Sequence, residues 1–296
     1  MKLLITGSCG QVGSELVLRS KKNGYEFIAT DVSELDITSR DAVESMLGQA
    51  LPDIVINAAA YTAVDQAESN HEIAFLVNKV GPSNLALACS KYSIPLLHIS
   101  TDYVFDGTKQ SAYTELDVPN PTGVYGQSKW EGEEVVRRVL EQHLILRVSW
   151  VFSRFGNNFV KTMLRVGKER TELGVVDDQF GCPTYAGDIA ETLLALAKQV
   201  FSQKKVRDCQ WGTYHFCNAP EVSWFQFAET IFSEAKKLNL LDDYPIVKGI
   251  QSEAYPTPVE RPKNSVLCCD RINSVFGVEQ PSWLLGLRDV LGADND

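Results

Sequence analysis

The stretch Lys2-Leu3-Leu4-Ile5-Thr6-Gly7-Ser8-Cys9-Gly10-Gln11-Val12-Gly13 decides the fold of this 296-residue chain. Its first residues predict a short buried strand, and the spacing of Gly7, Gly10 and Gly13 predicts a tight turn that opens an amphipathic helix. Such glycines let the backbone approach a pyrophosphate closely, while the helix N-terminus attracts negative charge. A turn and a helix cap would also explain three glycines, so the prediction depends on the segments that follow.

A second predicted strand, residues 25–30, ends at Asp31. A carboxylate there can accept hydrogen bonds from the adenosine ribose of a dinucleotide, and it repels a 2′-phosphate. The sequence therefore predicts that the glycine loop and Asp31 bind a nicotinamide dinucleotide, with NADH favoured over NADPH. A basic residue nearby would change that preference.

Strands continue to alternate with helices through the first half of the chain. Further strands are predicted at residues 53–57, 95–100 and 143–150, and Asp36 or Thr38 is expected to cap the helix that follows the second strand. This alternation is typical of an α/β fold with a Rossmann-type, doubly wound parallel sheet.

The strict alternation loosens after Trp150. We therefore expect a dinucleotide-binding domain over residues 1–150, rejoined by about 185–217. Residues 151–296 are expected to form mainly a smaller α/β substrate-binding domain.

Tyr125 and Lys129 open a predicted helix after a proline-containing loop. Residues four apart share a helix face, so the phenol and the amine can act on one small volume. An ammonium beside a phenol favours the phenolate, and lowering the phenol pKa by about three units corresponds to roughly 4 kcal/mol. We predict that Lys129 lowers the pKa of Tyr125 and makes it a usable general acid. The pair alone also arises by chance.

Two further segments follow strands at the edge where open parallel sheets bind ligands. Thr101 follows the strand at 95–100, and its hydroxyl can donate a hydrogen bond to a substrate carbonyl oxygen or simply cap a turn. Residues 58–60, all alanine, follow the third strand and suit either a bound ligand or close packing of helix on strand.

Composition excludes several classes of function. A net charge of −10 and an isoelectric point near 5.0 argue against nucleic-acid or anionic-membrane binding, which require clustered Lys and Arg. The seven cysteines show no Cys-x-x-Cys spacing, which disfavours a disulfide framework or a zinc site. The apolar N-terminus is too short for a signal peptide, and no run approaches the ~18 apolar residues of a membrane helix, so a cytoplasmic protein is expected.

The motifs taken together resemble the extended short-chain dehydrogenase/reductase family, and within it the dTDP-4-dehydrorhamnose reductases. The resemblance covers essentially the full chain. It is carried by Gly-Gln-Val-Gly at 10–13, Asn-Ala-Ala-Ala-Tyr-Thr-Ala-Val-Asp at 57–65, Ser-Thr-Asp-Tyr-Val-Phe at 100–105, Tyr125 with Lys129, Arg-Val-Ser-Trp-Val at 147–151, Asn-Asn-Phe at 157–159, Asp-Gln-Phe-Gly at 178–181 and Arg-Pro at 261–262.

This resemblance implies three groups of site residues. The residues that it places around the dinucleotide are Gly7, Gly10, Gln11, Val12, Gly13, Asp31, Asp36, Ile37, Ala59, Ala60, Tyr61, Tyr125 and Lys129. The catalytic group that it implies is Thr101, Tyr125 and Lys129. The residues that it places around the substrate are Thr101, Asp102, Tyr103, Trp150, Asn158 and Arg261.

The resemblance also implies the reaction, which is reduction of the C4 ketone of dTDP-4-dehydro-L-rhamnose (dTDP-6-deoxy-L-lyxo-4-hexulose) to dTDP-L-rhamnose by NADH or NADPH. Tyr125 would protonate the ketone oxygen, Thr101 would donate a hydrogen bond to it, and Lys129 would hold the nicotinamide ribose. The identity of the substrate nucleotide as dTDP is implied by the resemblance alone.

Alternative functions would require different residues at specific positions of the sequence. A 4,6-dehydratase of the same fold would carry an Asp-Glu pair after the threonine, whereas Tyr103 follows Asp102 here. Another nucleotide-sugar reductase or epimerase stays open. The regulatory subunit of methionine adenosyltransferase also resembles this chain and binds a partner without turnover, but the retained Thr101, Tyr125 and Lys129 favour an enzyme. Some family members dimerise around magnesium, and a homodimer stays open, yet no acidic cluster in the sequence identifies a metal site.

Overall fold

The computed structural model describes residues 1–202 and 210–292. Cys209, one of the seven cysteines, and the last four residues of the second predicted domain lie outside the described residues. The strands are β1 (Lys2–Thr6), β2 (Glu26–Thr30), β3 (Ile54–Asn57), β4 (Leu96–Thr101), β5 (His143–Val148), β6 (Val151–Phe152), β7 (Glu172–Val176), β8 (Phe180–Gly181), β9 (Thr184–Tyr185), β10 (Gly212–His215), β11 (Val222–Ser223) and β12 (Ile246–Ile250).

Helices connect most of these strands. The α-helices are α1 (Gln11–Lys22), α2 (Arg40–Ala50), α3 (Val64–Ala67), α4 (His71–Phe75), α5 (Gly81–Tyr92), α6 (Val124–Val139), α7 (Phe159–Glu169), α8 (Ala186–Ser202), α9 (Trp224–Lys237), α10 (Asp270–Phe276) and α11 (Trp283–Gly292). A π-helical turn (Leu76–Val80) joins α4 to α5, and 3₁₀ turns cover Asp102–Val104 and Ser252–Ala254.

Six strands form the central sheet in the order β2-β1-β3-β4-β5-β10. Every neighbouring pair runs parallel, from Lys2 opposite Glu26 at one edge to Gly212 opposite Leu144 at the other. Parallel neighbours need crossover connections, and the helices between the strands supply them. The predicted α/β fold with a doubly wound parallel sheet is confirmed.

The inner strands are apolar on both faces because helices cover the sheet on both sides. Successive side chains of β1 alternate between two cores, as the pleat of a strand requires. Leu3 and Ile5 pack with Leu16 of α1, whereas Leu4 packs in the opposite core with Leu85 of α5. All five side chains are fully buried.

A separate core lies among the elements that follow Trp150. It contains Phe152, Met163 of α7, Phe227 of α9 and Leu287 of α11. Elements after residue 150 nevertheless return to the core that contains Leu3 and Leu16. Helix α8 packs against α1, β10 extends the sheet beside β5, and α10 buries two side chains in the same core. The domain boundaries predicted from the sequence stay a prediction.

The structure differs from the sequence prediction at several local features. Ser39 caps α2 by accepting a hydrogen bond from the Ala42 backbone N–H at 3.4 Å, so the expectation of Asp36 or Thr38 as the cap is wrong. Asp36 instead accepts from the Thr38 backbone N–H at 2.9 Å, which forms a turn before the helix begins. Strand β12 and helices α10 and α11 are among the elements that were not predicted.

The helices of residues 1–202 and 210–292 include none that combines the length and the apolar character of a membrane span.

Helix α6 approaches the π-helical turn closely because Gly132 has no side chain. A Cβ at this position would collide with the backbone carbonyl oxygen of Asn78, which cannot move aside as a flexible side chain can. We therefore expect Gly132→Ala to lower the free energy of unfolding by about 1–3 kcal/mol, measured by chemical denaturation. Gly292→Ala is the control, since a Cβ there meets no atom within 4 Å. Equal stability of the two variants would contradict the close packing.

Candidate active site

The carboxyl ends of β1, β3, β4 and β5 meet at one edge of the sheet. Strand β1 lies between β2 and β3, so the direction of strand order reverses between β1 and β3. Open α/β sheets bind ligands in the crevice at such a switch point. The glycine loop after β1 and residues 58–60 after β3 flank this crevice.

The glycine loop is built from contacts that leave no room for side chains. Gly7 has a φ of +67°, and a Cβ there would lie 2.5 Å from the backbone nitrogen of Ala59. A Cβ on Gly13 would collide with the carbonyl oxygen of Gly7. Gly10, the N-cap of α1, has no side chain to cap the helix, so the first N–H groups of α1 suit an anionic ligand.

A cavity of about 440 Å³ lies between this loop and residues 58–60. Among the described residues that line it, only Asp31 and Asp36 are charged. The residues predicted to bind the dinucleotide that line this cavity are Gly7, Gly10, Asp31, Asp36, Ile37, Ala59 and Ala60. Gln11, Val12 and Gly13 form the first turn of α1 instead, and Tyr61 follows the alanines.

The Asp31 carboxylate is held against the glycine loop. It accepts hydrogen bonds from the backbone N–H groups of Cys9, at 2.9 Å, and Val32, at 2.8 Å. Partial burial opposes ionisation, but these two hydrogen bonds outweigh it and hold the pKa of Asp31 below its ordinary value. Asp31 therefore presents a negative charge to the cavity at neutral pH.

The three predicted catalytic side chains meet at the end of β4. Thr101 ends this strand, and Tyr125 and Lys129 lie one turn apart on the buried face of α6. The Thr101 hydroxyl lies beside the Tyr125 phenol. Lys129 Nζ donates a hydrogen bond at 2.7 Å to the carbonyl oxygen of Ile99, two residues before Thr101.

Burial shifts the pKa of both Tyr125 and Lys129. It raises the pKa of Tyr125 above the ordinary value, and the hydrogen bond with Thr101 opposes only part of that rise. It lowers the pKa of Lys129 to about 8, while the Glu133 carboxylate one turn further along opposes the shift. The predicted lowering of the Tyr125 pKa is wrong for this structure, because the phenol is buried and the amine is directed at Ile99.

Asp102 and Tyr103 lie in the 3₁₀ turn directly after Thr101. Asp102 Oδ1 accepts a hydrogen bond from the Thr101 hydroxyl at 3.0 Å, whereas its buried Oδ2 lacks a hydrogen-bond partner in the described residues. Burial raises the pKa of Asp102 to about 6, and the Ser265 and Thr101 hydroxyls oppose the rise. The ring of Tyr103 meets that of Tyr125 edge to face, with centroids 5.5 Å apart.

Arg261 reaches the same place from the C-terminal part of the chain. Its Nη2 donates a hydrogen bond to Asp65 Oδ2 at 2.7 Å. Burial raises the pKa of Tyr103 to about 12, and the positive charge of Arg261 opposes the rise, so the guanidinium lies beside Tyr103. A cleft of about 1010 Å³ opens next to Arg261, between residues 106–112 and 260–264.

Trp150 and Asn158 lie toward the second core. Trp150 has a φ of +47°, a conformation that is unfavourable for a residue other than glycine, and its indole stacks on Trp224 with centroids 3.5 Å apart. A Cβ on Gly181 would collide with this indole. Asn158 caps α7 and donates a hydrogen bond to Gln11 Oε1 at 3.0 Å, so the structure brings it to the glycine loop.

The residues described by the structure include no group of three or more His, Cys, Asp or Glu side chains arranged to hold a metal ion.

Comparison with known proteins identifies the family. A family model described as the RmlD substrate binding domain matches residues 1–295. The dTDP-4-dehydrorhamnose reductase of Aggregatibacter actinomycetemcomitans is 46% identical over 290 residues, which are 98% of each chain. The chain belongs to the dTDP-4-dehydrorhamnose reductase family. The family predicted from the sequence motifs is confirmed.

Solved structures of reductases in this family have the same fold. A dTDP-4-dehydrorhamnose reductase from Clostridium acetobutylicum matches with a TM-score of 0.92 and 37% identity, covering 100% of both chains. The Bacillus anthracis dTDP-4-dehydrorhamnose reductase, solved in complex with NADP, matches with a TM-score of 0.89 and 36% identity, covering 99% of both chains.

Sequence reasoning missed residues that hold the site of this family member in place. Glu68 Oε1 accepts a hydrogen bond from the Val124 backbone N–H at 2.7 Å and so caps the helix that carries Tyr125. Asp65 orients Arg261, and Trp224 supports Trp150. Asp65 ends one of the recognised motifs, but the partners of these residues are distant in sequence, so spacing carries no signal for them.

The raised pKa of Asp102 predicts a pH-dependent stability. A carboxyl group with a pKa of about 6 in the folded state and an ordinary value of 3.8 contributes its full stabilisation of the folded state at pH values below 3.8. That contribution is lost as the pH rises through about 6. Between about pH 4 and pH 7.5, the wild type should therefore lose roughly 2 kcal/mol of unfolding free energy relative to Asp102→Asn. Chemical denaturation of both proteins across this range measures the difference, and a constant difference would contradict the shift.

Proposed function

We propose that this member of the family reduces the C4 ketone of dTDP-4-dehydro-L-rhamnose to give dTDP-L-rhamnose, with a nicotinamide cofactor. The observation that carries the proposal is the meeting of Thr101, Tyr125 and Lys129 at the end of β4, beside the crevice framed by the glycine loop. The reductases named above support the choice of substrate, because they are similar to this chain along its whole length.

The crevice fits a dinucleotide. Gly7 and Gly13 admit no side chain, the N-terminus of α1 suits a pyrophosphate, and Asp31 stands where a ribose can donate hydrogen bonds. When bound, the nicotinamide supplies the hydride. We propose NADH as the preferred cofactor, since the charged side chains described along the cavity are carboxylates that repel a 2′-phosphate.

The side chains on α6 and β4 donate the proton and stabilise the negative charge that develops on the ketone oxygen. Because its pKa is raised, Tyr125 keeps its proton at neutral pH and can donate it when negative charge develops on the ketone oxygen. The Thr101 hydroxyl donates its one proton to Asp102 Oδ1, and by rotating about its C–O bond it can donate a second hydrogen bond to that ketone oxygen instead. Lys129, with a pKa of about 8, is mostly protonated at neutral pH and adds a positive charge to a site from which water is excluded.

Polar groups beside Tyr125 suit the rest of a nucleotide sugar. Asp102 Oδ2 is buried without a partner in the described residues, so a sugar hydroxyl can satisfy it. Arg261 is a donor for hydroxyl or phosphate oxygens at the mouth of a cleft of about 1010 Å³. We propose that Tyr103, Trp150 and Asn158 complete this side, with residues 151–296 as the main substrate-binding unit.

The buried Tyr125 and Lys129, and the tyrosine at position 103, argue against the alternative functions. A regulatory role without turnover would not require Tyr125 and Lys129 to be buried together with Thr101, and a dehydratase would need an acid where Tyr103 stands. A cytoplasmic location, a homodimer and bound magnesium stay predictions.

Replacing Tyr125 with Phe tests the proton donor. We expect kcat with NADH and the 4-keto sugar to fall by about 10²–10⁴-fold, because the phenol proton is lost, while NADH still binds. The decrease in NADH absorbance measures turnover, and fluorescence titration measures NADH binding. Tyr92→Phe, at the end of α5, is the matched control and should keep wild-type turnover. Native turnover of Tyr125→Phe would exclude this role.

Replacing Asp31 with Asn tests the cofactor preference. The amide keeps an acceptor oxygen but removes the negative charge, so the ratio of kcat/KM for NADH to kcat/KM for NADPH should fall by about tenfold. Asp41→Asn, in the first turn of α2 and outside the cavity, should leave the ratio unchanged. A wild-type protein that uses NADPH as well as NADH would contradict the preference.

A further inference from the structure

The short helix α3 carries two carboxylates that the reaction does not use directly. Asp65 lies inside this helix, and Glu68 directly follows its last residue. Side chains three positions apart lie on one side of a helical turn. Each of the two carboxylates accepts a hydrogen bond from a segment that is distant in the sequence, and both of these segments belong to the candidate active site.

Glu68 holds the first turn of the helix that carries the proton donor. The N-cap of α6 is Gly123, which has no side chain to accept a hydrogen bond from the first N–H groups of the helix. Glu68 Oε1 takes this role by accepting from the Val124 backbone N–H at 2.7 Å. A Cβ on Gly123 would lie only 3.1 Å from Glu68 Oε1, so the carboxylate fits closely. Val124 directly precedes Tyr125, and the position of Glu68 therefore affects that of the phenol.

Asp65 holds the side chain that reaches the site from the C-terminal part of the chain. Asp65 Oδ2 accepts a hydrogen bond from Arg261 Nη2 at 2.7 Å, and the Arg261 side chain remains 21% exposed. Arg261 also lines the cleft of about 1010 Å³. In the proposed function, this guanidinium donates hydrogen bonds to oxygens in the nucleotide part of the substrate.

The apolar side of α3 packs against the start of α6. Val64 and Ala67 lie in the small hydrophobic cluster that contains Val124 and Tyr125, and both Ala67 and Tyr125 are buried. Helix α3 therefore contacts α6 through apolar side chains as well as through Glu68. A shift of α3 that follows a movement of Arg261 would move the first turn of α6 as well.

We propose that α3 couples the binding of the nucleotide part of the substrate at Arg261 to the position of Tyr125, with Glu68 as the positioning residue. The inference rests on the proposed function. Binding energy from a part of the substrate that does not react raises kcat when it orients the reacting groups. A misplacement of about 1 Å in such a site costs on the order of 10²-fold in rate. Arg261 therefore contributes to kcat as well as to KM, and it does so through Asp65 and Glu68.

Combining Arg261→Ala with Glu68→Ala tests this coupling. We expect each single variant to lower kcat with NADH and the 4-keto sugar by about tenfold, and Arg261→Ala also to raise KM for the sugar. In the Glu68→Ala background, Arg261→Ala should still raise KM but should lower kcat by less than about threefold, because the connection to Tyr125 is already broken. Glu68→Gln keeps an acceptor oxygen, and its kcat should stay within about threefold of the wild-type value.

Asp53→Ala is the matched control for loss of stability. Asp53 Oδ2 accepts a hydrogen bond from the Lys2 backbone N–H at 2.6 Å, so this carboxylate also joins two segments that are distant in the sequence. It lies at the start of β1, at the opposite end of that strand from the glycine loop. Asp53→Ala should lower the melting temperature but keep the wild-type kcat, and Arg261→Ala should lower kcat by the full tenfold or so in its background.

Hydrogen exchange provides a readout that needs no turnover. The probe is dTDP, which carries the nucleotide part of the proposed substrate and no ketone. Saturating dTDP should slow exchange of the Val124 backbone amide in the wild type and in Asp53→Ala, because occupied Arg261 stabilises the contact between α3 and α6. In Arg261→Ala and in Glu68→Ala, exchange at Val124 should be the same with and without dTDP.

The outcomes distinguish this inference from the proposed function. Two contacts bypass α3, since Tyr103 lies between Arg261 and Tyr125, and Val259 Cγ1 would lie 2.8 Å from a Cβ on Gly123. If the double variant loses kcat by the product of the two single decreases, these contacts carry the effect and the coupling through α3 is overturned. Wild-type kcat in Glu68→Ala would also overturn it.

A second variant covers a failure to fold. If Glu68→Ala does not fold, Glu68→Asp, whose carboxylate is one methylene shorter, replaces it in the same comparison with the same criteria. A wild-type protein that does not oxidise NADH in the presence of the 4-keto sugar would overturn the proposed function. Exchange at Val124 that does not change when dTDP binds to the wild type would overturn the coupling alone.

Discussion

The parallel pairing of β1 with β2 on one side and β3 on the other is the constraint on which the site depends. It sends the loops after β1 and β3 to the same edge and opens a crevice between them. Polar groups at these buried strand ends need hydrogen-bond partners, and they form hydrogen bonds with each other. Asn57, which ends β3, accepts hydrogen bonds from the Thr6 hydroxyl at 2.6 Å and the Ala59 backbone N–H at 3.1 Å, and its amide nitrogen lies 2.9 Å from His98 Nδ1.

Exclusion of water has a common effect on the ionisable groups around Tyr125. Burial disfavours the charged form of each, so the pKa values of Tyr125 and Asp102 rise while that of Lys129 falls. A buried ion pair involves Glu133, one turn beyond Lys129 on α6. Arg147 Nη2 donates a hydrogen bond to Glu133 Oε2 at 2.7 Å, and Arg147 Nε donates to Glu133 Oε1 at 2.9 Å. Charge that develops on a ketone oxygen in front of Tyr125 is therefore poorly screened, and hydrogen bonds to it are strong.

The sequence predicted those parts of the molecule that depend on local chemistry. The strand and glycine loop at the N-terminus, the parallel sheet, the strand end at Thr101 and the shared helix face of Tyr125 and Lys129 follow from apolar runs, turn residues and helix spacing. The meeting of these three side chains was implied only by the family resemblance. The direction of the Tyr125 pKa shift did not follow, because it depends on how completely the phenol is buried. The support of Arg261 by Asp65 also needed the folded chain, since the two residues are 196 positions apart.

The sequence likewise carried little sign of the elements beyond residue 240. Strand β12 is mostly exposed and pairs with β7 along one edge only, so its side chains lack the buried alternation that identifies a strand. Ser39 was overlooked as a cap because three candidate polar residues lie within four positions, and only the backbone conformation selects among them.

The hydrogen bond from Asn158 to Gln11 joins the start of α7 to the first turn of α1, two surfaces that we propose bind the sugar and the dinucleotide. Asn158 is both the N-cap of α7 and the partner of a side chain in the first turn of α1. A ligand that draws Gln11 toward the dinucleotide crevice therefore acts on the start of α7, and a ligand seated against α7 acts on Gln11. Such coupling is reciprocal. The first ligand changes the binding free energy of the second by the same amount as the second changes that of the first.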